Sequence, residues 1–256
     1  MTSAGSQNRK TPFSLLSLVS IVAFVFSLFS ANVMATNHKP LVFGVVPQQS
    51  SAKLIRDWTP VMKKITEMTG IEIRFATAPN IPEFERRLAK GMYDIAYMNP
   101  YHFTVFNQSP GYQAVAHAKN KKIKGILVVS KESEIAELSD LNGKNLAFPA
   151  PAAFAATLLT QATLKNSGVE FTPHYVGSHD SSYLSVSDGL FSAGGGIVRT
   201  LGAAPTDTKD KLRVLHTTEG YTHMRWLLTL PFPKTSVFAF KKHSSNSQKV
   251  MTARKH

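Results

Sequence analysis

Leu41-Val42-Phe43-Gly44-Val45-Val46-Pro47-Gln48-Gln49-Ser50 is an apolar run that ends in a polar turn. Leu41 to Val46 does not alternate polar with apolar, which fits a strand buried on both faces of a parallel sheet, and a helix should follow it. Leu54, Ile55, Trp58, Val61, Met62, Ile65 and Met68 then recur at three- and four-residue spacing until Gly70 stops the pattern. Pro60 lies inside that helix, so a kink or break is expected there. The same sequence of events returns at Ala96-Tyr97-Met98-Asn99-Pro100-Tyr101 and at Tyr175-Val176-Gly177-Ser178-His179-Asp180. In open α/β sheets, ligands bind beyond the carboxyl ends of strands, where helix N-termini present unpaired N–H groups and a positive dipole end. Three such turns predict one shared site that suits an anion.

Ile71 to Ala76 alternates as a second strand, Pro82 to Lys90 makes a short helix ended by Gly91, and Tyr93 to Met98 is a third strand. Asn99-Pro100 opens the next helix, Asn as cap and Pro preset for the first turn. This order predicts a mostly parallel sheet with helices on both faces. Tyr112 to Ala118 reads as a strand leaving the first lobe, and the Lys119 to Lys124 stretch as a hinge segment, more a solvated loop than a binding patch. Ile126 to Ser130 begins a second lobe. It continues through Asn145 to Phe148, an Ala-rich helix from Pro151 to about Asn166, Thr172 to Val176, and a helix after Ser178. Ala193-Gly194-Gly195-Gly196-Ile197-Val198 reads as a core strand that another backbone or a ligand approaches closely. It lacks the Gly-Lys-Ser/Thr ending of a phosphate loop. Leu212 to Thr217 and Thr235 to Phe240 are expected to return to the first lobe, making two domains joined by a hinge: 36–118, 119–211 and the return 212–256.

Arg9 and Lys10 precede an apolar stretch from Phe13 to Ala31 and the small-x-small pattern Val33-Met34-Ala35, so residues 1–35 read as a signal peptide cleaved after Ala35. The serines at 14, 17, 20, 27 and 30 weaken the alternative of a retained membrane anchor. Such a leader predicts a periplasmic protein, or one loosely anchored if cleavage fails. The absence of cysteine excludes disulfide staples, thiol catalysis and Cys-based zinc sites. A formal net charge of +13 predicts attraction to phosphates or other anions, and export makes nucleic acid an unsuitable partner.

The blocks Val45 to Ser50, Asp94 to Tyr101, Asn142 to Pro151 and Ser178-His179-Asp180, in this order, resemble the periplasmic substrate-binding proteins of phosphate, phosphite and phosphonate ABC transporters. The resemblance runs from about Leu41 to Phe240. It implies an α/β fold of the type II periplasmic binding protein kind: two lobes, each with a mixed, mostly parallel sheet, closing on a ligand about a hinge. It also implies an oxyanion between the lobes, held by Tyr97, Asn99 and Tyr101 from the first and by Ser178 and His179 from the second, with Gln48 and Gln49 at the first turn. Many family members carry a Ser-Thr-Ser run where this chain has Ala152-Ala153-Phe154-Ala155-Ala156-Thr157. Backbone N–H groups at Ala153 and Phe154, with the Thr157 hydroxyl, are the donors left for an anion. Each donor lost from a buried oxyanion site costs about 1–3 kcal/mol, which points to a ligand that is larger, more apolar or not a phosphonate. Family members usually continue through further helices, whereas this sequence stops at His256. Ser245 to Arg254 reads as the first turns of such a helix, so a thin or incomplete closing layer is expected for the first lobe.

Ser178-His179-Asp180 is not a catalytic triad, because three consecutive side chains diverge. Asp180 reads as serving the helix dipole. The nine histidines show no paired metal-ligand spacing, so no metal, no cofactor and no catalytic residue is expected. The expected function is capture of a small anion such as phosphonate, phosphite or phosphate for an inner-membrane ABC permease, by a monomer. A periplasmic ligand-sensing partner of a membrane kinase shares every one of these features. An exported hydrolase using His179 lacks a paired nucleophile and base.

Overall fold

The computed structural model describes residues 39–222 and 225–228. The leader, the strand expected at Thr235 to Phe240 and the helical turns expected at Ser245 to Arg254 lie outside the described residues. Strand β1 (Leu41–Val45) leads into helix α1 (Ser51–Thr69), β2 (Ile73–Ala76) into α2 (Ile81–Ala89), and β3 (Ile95–Met98) into α3 (Pro100–Phe106) before β4 (Gln113–His117). Strand β1 pairs in parallel with both β2 and β3, as its unbroken apolar run requires. Each helix begins on a side-chain cap. Ser50 accepts from the Lys53 N–H, Asn80 from Glu83 at 2.9 Å, and Asn99 from His102 at 2.7 Å. Gly70, at φ 69°, supplies the left-handed residue that ends α1.

Of the kink or break expected at Pro60, the break does not occur: helix α1 continues through it from Ser51 to Thr69. Pro60 and Arg56 both lie on the exposed face, so the carbonyl that Pro60 cannot serve is open to solvent.

After a short crossing strand, β5 (Lys122–Ile123), the second sheet begins with β6 (Gly125–Ser130) and β7 (Lys144–Phe148). A π-helical turn, Phe154–Leu159, opens α4 (Thr160–Asn166), and β8 (Phe171–Tyr175) precedes α5 (His179–Ser187). Then come β9 (Ala193–Ile197), α6 (Val198–Gly202), α7 (Thr206–Lys209) and β10 (Leu212–Thr217). The chain crosses back through β11 (Tyr221–Thr222), which pairs antiparallel with β5, and β12 (Arg225–Leu228) enters the first sheet between β3 and β4. The two sheets have the orders β2-β1-β3-β12-β4 and β10-β6-β9-β7-β8, both mixed.

Leu212 to Thr217 does not return to the first sheet; it pairs along β6 from Leu212 opposite Ser130 to Thr217 opposite Ile126. Leu212 is buried in one apolar cluster with Ile126, Val128, Tyr183 and Val186, a face that only the second sheet offers. The return is made by Arg225–Leu228 instead, which the sequence reading did not assign. Strand β6 shows the period-2 division directly: Ile126 and Val128 pack towards α5, while Leu127 and Val129 pack with Leu146, Phe148 and Leu164. A third cluster is shared by both halves, joining Phe84, Tyr93 and Met98 to Ala153, Ala155, Ala156 and Ile197.

The glycine strand is the closely approached core strand that was expected, and what approaches is protein. A Cβ on Gly195 would stand 2.0 Å from the Ala156 carbonyl oxygen, and one on Gly196 would stand 2.1 Å from the Tyr183 hydroxyl. Gly195→Ala is therefore expected to destabilise the protein by about 1–3 kcal/mol or more, read as a lower urea midpoint.

Candidate functional site

Five strand ends deliver residues to one cleft. Val46 and Gln48 follow β1, Asn99 follows β3, Ala153 to Ala156 follow β7, His179 follows β8, and Ile197 ends β9; Ile81 and Ile123 complete the lining. The room at its centre is about 10 Å³, the space of one water molecule. The N-termini of α3, α5 and the π-helical turn all reach this cleft, so partial positive charge converges on it.

Gln48 is the node between the two halves. Its carbonyl accepts the His179 backbone N–H at 3.1 Å, and its side-chain Oε1 accepts a hydrogen bond from the Arg199 guanidinium. Beside it, the Ser50 N–H donates to Asp180 Oδ2 at 3.0 Å. Asp180 thus ties α5 to the start of α1 and does more than serve its own helix. Asn99 makes a third bridge, because the Nδ2 of this capping residue donates to the Ala152 carbonyl at 3.0 Å.

His179 is buried, and its Nδ1 lies 3.1 Å from Thr200 Oγ1, which leaves Nε2 for a second partner. Thr200 lies in turn 2.7 Å from the Tyr183 hydroxyl, which receives the Ile197 N–H at 3.0 Å. Burial, with a smaller contribution from the Arg199 charge, pulls the His179 pKa from 6.5 to about 3. At neutral pH the ring is an uncharged hydrogen-bonding group, and the positive charge beside Gln48 belongs to Arg199. Burial raises the Asp180 carboxyl, and the Ser50 N–H opposes that shift.

The other expected residues divide in two. Gln49 and Thr157 are buried, and Gln49 Nε2 and Thr157 Oγ1 have no hydrogen-bond partner among the described residues. Phe154 lines the cleft and meets Tyr221 edge-on, with ring centroids 5.5 Å apart. Tyr97 packs on Trp58 at 4.8 Å; burial raises its hydroxyl pKa and the Arg199 charge opposes the shift. Tyr101 is 41% exposed on the first turn of α3, and the Ser178 hydroxyl is engaged by Ser181 as helix cap; of the expected residues, these two and Gln49, Tyr97 and Thr157 are not among those that line the cleft, whereas Gln48, Asn99, Ala153, Phe154 and His179 are. Arg199 and Thr200 were missed. Their sequence signal is position: they follow the carboxyl end of β9 as Gln48 follows β1.

Two mixed α/β sheets joined by paired crossing strands, with a cleft at the strand ends, are the architecture of a type II periplasmic binding protein. The family model described as "ABC transporter, phosphonate, periplasmic substrate-binding protein" matches residues 43–232, and the chain belongs to that family. It is 23% identical over 182 residues to the phosphate-import protein PhnD of Mycolicibacterium smegmatis, a match covering 60% of this chain and 54% of that protein. It is 24% identical over 196 residues to a probable ABC transporter phosphite-binding protein, PhnD1, of Prochlorococcus marinus, covering 71% of this chain and 66% of that one. The chain thus matches between half and two thirds of the length of these relatives. The structure of Prochlorococcus marinus PhnD1 in complex with methylphosphonate shares the fold, with a TM-score of 0.71, 19% identity and coverage of 80% of this chain and 81% of that chain.

The buried His179 makes a pH prediction. Below about pH 6.5 the unfolded chain takes up a proton on this ring, while the folded chain does not until about pH 3, so the ring makes stability fall as pH drops through that window. Asp180, raised by burial, works in the opposite direction. His179→Gln should remove the ring's share, at most about 1.4 kcal/mol per pH unit, from the slope of unfolding free energy between pH 6 and 4.

Proposed function

We propose that this chain is the exported solute-binding component of an ABC importer and captures a small phosphorus oxyanion in the cleft at Gln48, Ala153 to Thr157 and His179. The observation that carries this reading is the convergence of three helix N-termini on one cleft, one of them the π-helical turn that lines it through Ala153 to Ala156 and carries the buried, unpartnered hydroxyl of Thr157 on its next residue. Family membership and relatives named for phosphate import and phosphite binding support it.

In this mechanism the two sheets belong to two lobes that hinge at the side-by-side crossings β5 and β11. An oxyanion binds backbone N–H groups of the π-helical turn, accepts from Thr157 Oγ1, and selects the His179 tautomer that carries its proton on Nε2. The Gln48, Asn99 and Asp180 bridges are already made around a cleft with room for about one water, so an oxyanion enters with these bridges parted, the halves close on it, and the permease reads the closed form. The protein acts as a monomer delivered to the periplasm by residues 1–35, and it performs no chemistry on its ligand.

Titration of the purified protein with phosphate, phosphite, methylphosphonate and sulfate tests the reading. A phosphorus oxyanion at one hundred times its dissociation constant should stabilise the fold by about 2.7 kcal/mol, visible as a raised melting temperature; a flat response to the whole panel would refute it. His179→Ala should weaken that binding by about 1–3 kcal/mol without unfolding the protein. Thr157→Val separates binding from stability: it should leave the ligand-free protein as stable or more so, having removed an unpaired buried hydroxyl, yet weaken oxyanion binding in calorimetry.

A further inference from the structure

A second cavity, of about 550 Å³, lies next to the cleft and shares two of its walls, Ile123 and Ile197. Its remaining lining is Lys121, Lys122, Lys124, Val198 and Arg199. It is therefore a pocket with four cations and no carboxylate among its described lining residues. Within the described residues, none of these four cations lies within 4.0 Å of an acidic side chain. Arg199 connects the two spaces, since the residue that lines the outer cavity also donates to Gln48 in the cleft. The lysines project from the crossing strand β5 and its flanks, around a buried Ile123.

We infer that this cavity is a tail pocket and that the preferred ligands are phosphonates or phosphate esters whose organic tail ends in a second anionic group. The inference rests on the oxyanion reading of the cleft. An oxyanion seated beside Gln48 directs any substituent that leaves the cleft past Ile123 and Ile197, whose aliphatic surfaces suit methylenes. Beyond them, unneutralised charge at Lys121, Lys122, Lys124 and Arg199 attracts a terminal carboxylate or phosphoryl group and repels an ammonium. The lack of acidic side chains among the described lining residues gives the discrimination a repulsive as well as an attractive part. This bears on the alanines that replace the hydroxyl run: attraction at the tail offsets hydrogen bonds missing at the head.

The test compares calorimetric affinities of the purified protein for methylphosphonate, phosphonoacetate and 2-aminoethylphosphonate at low and at physiological ionic strength. Phosphonoacetate should bind about tenfold more tightly than methylphosphonate at low salt, 2-aminoethylphosphonate more weakly, and the advantage should shrink as salt rises. The triple variant Lys121→Gln, Lys122→Gln, Lys124→Gln changes exposed side chains only, and in it the phosphonoacetate to methylphosphonate ratio should fall towards one. A ratio near one in the unaltered protein, or one that the variant leaves intact, overturns the tail pocket while the cleft reading stands. Failure of all three ligands, together with phosphate and phosphite, overturns the cleft reading and the tail pocket with it.

Discussion

The carbonyl oxygens of Ala155 and Ala156 press against strand backbone where no side chain fits. A Cβ on Gly125 would stand 2.1 Å from the Ala155 oxygen, and one on Gly195 would stand 2.0 Å from the Ala156 oxygen. Glycine at both positions lets the π-helical turn sink onto the second sheet, and Ala155 and Ala156 keep the turn itself small. A π-helical turn is wider than an α-helical one, and such turns occur often at functional sites. Here Leu158 as well as Thr157 donates to the Ala153 carbonyl, so the turn opens where the cleft begins. The rest of the site depends on this seat. It sets Ala153 against the first half's core and brings Ala152 within reach of Asn99.

Charge in the cleft is placed with the same economy. A buried imidazolium would cost heavily, and the structure keeps His179 neutral among Thr200, Tyr183 and the backbone of Ile197. Positive potential comes instead from helix ends and from Arg199, which Gln48 orients. Gln48 also accepts the His179 backbone N–H, so one residue after β1 couples the two sheets to each other and to the Arg199 guanidinium, which serves both cavities.

Much of the first half was legible because its signals are local. Apolar runs marked β1 and β3, the cap at Asn99 marked a helix start, and Gly70 marked a stop. Each is a preference of a few neighbouring residues, and tertiary packing agreed with it. Pro60 misled because its cost depends on whether the freed carbonyl is buried. Leu212 to Thr217 misled because a strand of that composition suits either sheet, and only the apolar face beneath α5 decides which. Tyr101 and Ser178 share the turns of the site residues, yet one points to solvent and the other is consumed as a cap.

By itself the sequence determined an α/β chain with strand-end turns, a cysteine-free basic composition and the glycine strand that admits a close neighbour. These follow from propensity, periodicity and charge, which act over a few residues or over the whole chain. Only the tertiary structure decided that Gln48, Asn99, Ala153 and His179 share one cleft, that Arg199 stands between it and a second cavity, and that Lys122 of a crossing strand lines that cavity with its neighbours Lys121 and Lys124. Those placements join residues as far as 151 positions apart, and the contacts that bring them together exist only after both sheets have formed.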